Sequence, residues 1–165
     1  MRQHVTAIEA ACAIGEGGEC KGVAVGGREI TFRPGKARAG EYRFAVGTAG
    51  STGLVLQTVL MPLLLAGGPS RLVLEGGTHD MLAPPLDFIA KALLPILHRM
   101  GAQVEARLVR HGFYPRGGGR VEVDVLNSPP RSTHSIGARA PGATCLPLGR
   151  QTALGPGISR TGFQH

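Results

Sequence analysis

The chain has 165 residues, 42% of them hydrophobic, enough for one ordinary domain with a buried core; aromatics are only 4% and tryptophan is absent, so packing falls to Leu, Val, Ile and Ala. A formal charge of +7 favours anionic partners such as nucleic acid or nucleotides, with plain solubility as the bland alternative. Three widely spaced cysteines without a CxxC pair give neither a zinc site nor a disulfide framework and fit a reducing cytoplasm; no secretory leader is visible, and the longest apolar run, 54–66, is too short to span a bilayer.

Apolar residues at helical spacing (Val5, Ile8, Ala11 and Cys12) predict a helix over 5–14, stopped by Gly15, Gly17 and Gly18. Segments 21–27 and 28–35 read as a hairpin about Gly26–Gly27, and 41–47 as a short strand. The stretch GTAGSTG (47–53) then feeds a helix from about 53 to 66, for which Ser51 or Thr52 is the cap. A strand follows at 71–75. Pro84–Pro85 opens the next helix, with Phe88, Ile89, Ala92, Leu93, Ile96 and Leu97 as its apolar side and Gly101 as its end. Segments 104–110 and 120–126 read as strands joined by HGFYPRGGG. In the second, Val121, Val123 and Val125 alternate with Glu122 and Asp124, which predicts one wet face.

A helix with an internal proline, then glycine, then a short strand occurs twice, in LMPLLLAGGPSRLVLEGG and LLPILHRMGAQVEARLVRHG. An interior proline costs about 3 kcal/mol, so two in similar places suggest repeated packing units. Residues 127–165 differ. They contain four Arg, no Asp or Glu, and no period of either kind, which predicts a disordered tail after a folded segment at 1–126.

Four features are candidates for chemistry. The glycines of GTAGSTG would either cradle a phosphate at a helix N-terminus or only make a tight turn; the pattern is neither GxxxxGK[ST] nor GxGxxG. Gln57 is the long polar side chain in a helix apolar almost all round, which predicts burial and leaves two roles, a structural hydrogen bond or a pocket lining. His79 and Asp80, in the loop 76–85, are metal or acid–base candidates or plain turn residues. Arg110, His111 and Arg116 interleave with Phe113 and Tyr114, a mixture that would hold single-stranded RNA or merely close a Gly-rich hairpin.

Together RQHVTAIEAA, FRPG, EYRFAVGTAGSTGLVLQTVLMP, GPSRLVLEGGT, APPLDFI and LVRHGFYPRGGG, in order from Arg2 to about Val125, resemble the RNA 3′-terminal phosphate cyclase family. The resemblance implies an α/β fold of the α+β type, with repeated units of two helices packed on a four-stranded sheet, here a partial copy of the family's large domain. It implies ATP-dependent conversion of an RNA 3′-phosphate end to a 2′,3′-cyclic phosphate through a histidine–AMP adduct, with Mg²⁺, in the cytoplasm and without a membrane. By the same resemblance Gln57 contacts the nucleotide, Pro84 packs on the adenine and Gln3 lies near the phosphates. The family's Gly-rich acidic motif before RQH and its catalytic histidine have no counterpart here, so a truncated chain, inactive alone, is expected. The family's Thr-Asp-Asn stands here as Thr78-His79-Asp80. A non-catalytic, RNA-binding ribosome-assembly relative of the same fold is the alternative.

Overall fold

The computed structural model describes residues 1–81 and 83–126; the expected tail at 127–165 lies outside them. Helix α1 (Arg2–Ala13) leads into a small antiparallel hairpin. Strands β1 (Gly15–Glu16) and β2 (Glu19–Lys21) return as β3 (Thr31–Arg33) and β4 (Lys36–Ala37). Every pair in both ladders, such as Cys20↔Phe32 and Gly15↔Ala37, is symmetric about residue 26, the centre expected. The strands are shorter than expected and lie farther from that centre. Gly22 and Gly26 have φ of 73° and 85°, so the chain leaves the extended conformation between the strands.

Strand β5 (Glu41–Ala45), helix α2 (Thr52–Leu64) and strand β6 (Ser70–Gly76) form a parallel crossover unit. A second helical segment follows, made of α3 (Leu86–Phe88), a π-helical turn (Ile89–Leu93) and α4 (Leu94–Arg99). It leads to β7 (Val104–Arg110), which pairs antiparallel with β8 (Gly119–Val125). Strand order is β5-β6-β8-β7, so β8 is inserted between β6 and β7. Parallel crossovers in one sheet are right-handed, and these two run in the same direction along it. Their helices therefore share a face, and the core joins Leu56, Leu60 and Leu63 of α2 to Ile89, Leu94 and Leu97 over Leu72, Leu74, Val121 and Val123 of the sheet. This is a unit of two helices on a four-stranded sheet. The repeat seen in the sequence is the two helix–strand halves of that single unit.

The opposite face is wet, as the alternation in β8 predicts. Glu122 there lies within 3.2 Å of Arg71, 3.4 Å of Arg107 and 2.8 Å of Arg120. The Arg120 hydrogen bond, helped by the charges of Arg120, Arg71 and Arg107 and opposed by partial burial, holds its carboxyl below the usual range.

Two helix faces differ from expectation. In the second helix Leu86, Ile89, Leu94 and Leu97 are buried, whereas Phe88 and Ile96 are 55% and 53% exposed. The cause is Pro95. It has no N–H for the Lys91 carbonyl, and its ring would strike that carbonyl in a regular helix. The π turn there, with Leu94 N–H bonded to Ile89 O, inserts a residue and rotates the face. In α1 the buried residues are Thr6 and Ala10, with Ile14 just past the end. Small Thr6 and Ala10 let α1 approach α2, its main neighbour. Ile8 and Ala11 line an open apolar groove of about 340 Å³ with Phe32 and Thr58. At the other helix end the sequence signal holds. Gly101 (φ 91°) follows the cap, and the Gly101 and Ala102 N–H groups close on the His98 and Leu97 carbonyls. No helix among the described residues is long and apolar enough to cross a membrane.

Candidate functional site

The GTAGSTG stretch continues from the end of β5 and closes on the chain after β6. Gly77 N–H donates to Gly50 O, and Thr52 N–H and Thr52 Oγ1 both donate to Gly77 O, at 2.8, 2.8 and 2.9 Å. Ser51 is the N-cap of α2, its Oγ accepting from Leu54 N–H at 3.4 Å. Gly50 N–H donates to Thr48 Oγ1 and Ser51 N–H to Gln3 Oε1. The N–H groups of residues 50, 51, 52 and 54 are thus all used inside the protein, which fits the tight-turn reading for that part of the stretch. Gly53 lies in a tight approach: a Cβ there would stand 3.1 Å from Pro84 O and 3.3 Å from Ile89 Cδ1.

Two of the three residues implied by the resemblance, Gln3 and Pro84, meet the N-terminus of α2. Gln3 reaches Ser51 from α1, and the Pro84 carbonyl abuts Gly53. Gln57 stands one turn beyond Gly53 on the same helical face. The burial expected for Gln57 is not observed. Its side chain is exposed, and among the described residues no hydrogen bond reaches its amide. The sheet covers one side of α2 and α1 another. A third strip, with Gln57, Thr58, Met61 and Leu65, faces outward, and Met61 and Leu65 are 42% and 65% exposed. Apolar composition all round a helix does not require cover all round it.

His79 is held on several sides. Its Nδ1 lies 2.9 Å from Thr78 Oγ1 and its Nε2 3.4 Å from Asp87 Oδ2, while its ring packs against His111 and Phe113 at centroid distances of 5.2 and 5.5 Å. It ties the loop after β6 to the start of α3 and to the β7–β8 connection. Asp80 Oδ2 is buried without a hydrogen-bond partner among the described residues, and burial pushes its carboxyl pKa up, with His79 opposing. Among the described residues no group of three or more His, Cys, Asp or Glu side chains is placed to hold a metal ion. His79 and Asp80 lie in the loop after β6, and a plain turn role does not account for the buried Asp80 Oδ2.

The β7–β8 connection packs on the GTAGSTG turn, which spacing along one chain does not reveal. Gly117 (φ 71°) lies so close that a Cβ would stand 2.5 Å from Thr48 O. Between them and the sheet end lies a cleft of about 270 Å³, whose lining includes Gly47, Thr48, Arg110 and Arg116. Arg2 is a further cation missed in the sequence. Its Nη1 would be 3.2 Å from a Cβ at Gly47. Its position beside Gln3 in RQH was the available signal.

A family model described as RNA 3′-terminal phosphate cyclase matches residues 1–148. Curated relatives named RNA 3′-terminal phosphate cyclase in Ectopseudomonas mendocina and Pseudomonas fluorescens are each 50% identical over 134 residues, 81% of this chain and 39% of the relative. One of the same name in Koribacter versatilis is 50% identical over 125 residues, 76% of this chain and 35% of the relative. The chain spans 39% or less of the length of these relatives. On the extent of the family match, the chain belongs to the RNA 3′-terminal phosphate cyclase family.

Proposed function

We propose that this chain supplies nucleotide-binding residues for ATP-dependent conversion of an RNA 3′-terminal phosphate to a 2′,3′-cyclic phosphate, in the cytoplasm. The observation that carries the reading is the Gln57 amide, exposed and without a hydrogen-bond partner among the described residues, on an otherwise mostly apolar helix. A primary amide presents two donors and an acceptor, which suits the edge of a purine. Pro84, whose carbonyl meets the same helix one turn earlier, would give its apolar ring to the face of the base. Gln3 gives its oxygen to Ser51, and its NH₂ group, which makes one weak contact with Met1 Sδ at 4.0 Å, keeps a second N–H to donate to phosphate oxygens. ATP, when bound, brings the activated phosphoryl group. The part of these residues is to bind and orient it. Mg²⁺ would be held by the phosphates and water together with one or two carboxylates, its usual habit with nucleotides.

The test is calorimetric titration of the chain with ATP, beside its Gln57→Leu variant. Removing one neutral hydrogen bond should weaken binding roughly 2- to 10-fold. The unfolding temperature should not move, since no buried partner is stranded. Equal affinity in the two proteins, or no ATP binding by either, overturns the reading.

A further inference from the structure

We propose that the cleft between the GTAGSTG turn and the β7–β8 connection holds an internucleotide phosphate of single-stranded RNA, with Arg110 and Arg116 as its cations and Phe113 and Tyr114 as stacking surfaces for the neighbouring bases. The proposal deepens the reading above by giving the RNA strand its contacts, and it rests on that reading for the choice of RNA.

The cleft is cationic by arrangement. Among the described residues, neither Arg110 nor Arg116 lies within 4 Å of a carboxylate. Glu75 does line the cleft, but it is engaged by Arg43 at 3.0 Å and by Arg120 at 3.7 Å, which offsets its charge. Arg110 Nε donates to the Gly118 carbonyl, fixing the guanidinium and leaving its outer nitrogens for a ligand. A planar guanidinium matches two phosphate oxygens at once. Gly47, Gly76, Gly118 and Gly119 form part of the wall, and there backbone rather than side chain bounds the space.

The exposed rings on the same loop suit a single strand. Tyr114 is 86% exposed and Phe113 56% exposed, on the loop that carries Arg116. Phe113 is braced by the ring of His111, nearly parallel at 3° and 6.0 Å, and by His79. A paired base has no free face for a ring, whereas an unpaired one does. A protein partner would more often meet a continuous apolar patch than two rings set among arginines.

The test is fluorescence anisotropy with a labelled, mixed-sequence 12-nucleotide single-stranded RNA ending in a 3′-hydroxyl, using the full chain. Arg116→Ala and Tyr114→Ala change exposed side chains, and thermal unfolding checks that both variants fold. Each should weaken binding on the order of fivefold or more. Arg116→Ala should also flatten the log–log salt dependence by about 0.7, the value for one lost phosphate contact on a single strand, while Tyr114→Ala leaves the slope unchanged. A duplex of the same sequence should bind more weakly and be indifferent to Tyr114→Ala. Unchanged affinity and slope in Arg116→Ala, or no binding by the unaltered chain, overturns the proposal. ATP titration of the same samples separates the two readings. RNA binding through the cleft without ATP binding would reject the nucleotide role alone. ATP binding sensitive to Gln57 with RNA binding insensitive to Arg116 would reject the cleft alone.

Discussion

The side-chain oxygen of Gln3 accepts the backbone N–H of Ser51 at 3.0 Å, joining the first turn of α1 to the N-cap of α2 across 48 positions of sequence. The contact is part-buried, and it satisfies a donor next to a helix end that has few alternatives. Gln3→Leu should therefore destabilise the fold by about 1–2 kcal/mol, because the Ser51 N–H loses its acceptor. Gln3→Glu keeps an acceptor and should recover most of that loss. Urea unfolding of the three proteins checks this. A Leu variant as stable as the parent would show that the contact contributes nothing to folding.

Glu122 gives a pH dependence with a definite sign. Its carboxyl is held below the ordinary 4.5, first by the Arg120 hydrogen bond. A carboxyl depressed in the folded state stabilises it above the unfolded pKa, and that contribution fades as pH falls through the folded value. The parent should thus exceed Glu122→Gln in stability at pH 6, and the gap should shrink from about pH 4.5 downward. Paired urea titrations at pH 6 and pH 3 give the comparison. A gap that is constant or widens on acidification would contradict the assignment.

Some of this was written locally in the sequence. The alternation of Val121, Val123 and Val125 with charged residues fixes which side of β8 is dry, because a strand has only two faces. The Ser51 cap and the Gly101 stop are likewise local chemistry. The phase of the second helix was not legible. Periodicity assumes a regular α-helix, and the π turn before Pro95 breaks that assumption. Nor was the buried side of α1, where small Thr6 and Ala10 are chosen by what α2 allows rather than by hydropathy. The exposure of Gln57 is illegible for the same reason, since its neighbours along the helix say nothing of what covers them. The convergence of Gln3, Gly53 and Pro84, and of Thr48 with Gly117, arises from long-range packing. No spacing encodes it. The nucleotide roles given to Gln3, Gln57 and Pro84 came from the resemblance and not from any period or composition.

Cys20 should be a slow thiol. Burial first, then the hydrogen bond and charge of Cys12 and the charge of Glu9, push its pKa up to about 11. Its Sγ points to the Ile8 carbonyl at 3.9 Å, one helical turn before Cys12. The thiolate is the reactive form, so iodoacetamide labelling of Cys20 should keep accelerating between pH 7 and pH 10 without a plateau. Cys12→Ser removes the neighbouring thiol, and Cys20 labelling in that variant should begin to accelerate at lower pH than in the parent. Peptide mass spectrometry of timed samples reads both effects. A plateau below pH 9.5 would show that the surroundings do not protect the protonated thiol.

Two adjacent glycines separate backbone conformation from close packing. Gly117 and Gly118 have nearly equal φ, 71° and 70°, so an alanine at either meets a similar left-handed penalty of roughly 1–2 kcal/mol. They differ in what surrounds them. A Cβ at Gly118 would meet nothing within 4 Å, whereas one at Gly117 would stand 2.5 Å from the Thr48 carbonyl oxygen and 3.0 Å from Ala49 Cα. Those atoms are backbone in a turn fixed by the Gly50, Ser51 and Thr52 hydrogen bonds, so they cannot rotate away as a side chain would. Gly118→Ala should accordingly cost about the conformational penalty alone. Gly117→Ala should cost clearly more, on the order of 1–3 kcal/mol beyond it, as overpacked sites do. Urea unfolding of both variants measures the difference. If Gly117→Ala is no worse than Gly118→Ala, the two glycine-rich loops are not in contact, and the cleft between them loses its floor.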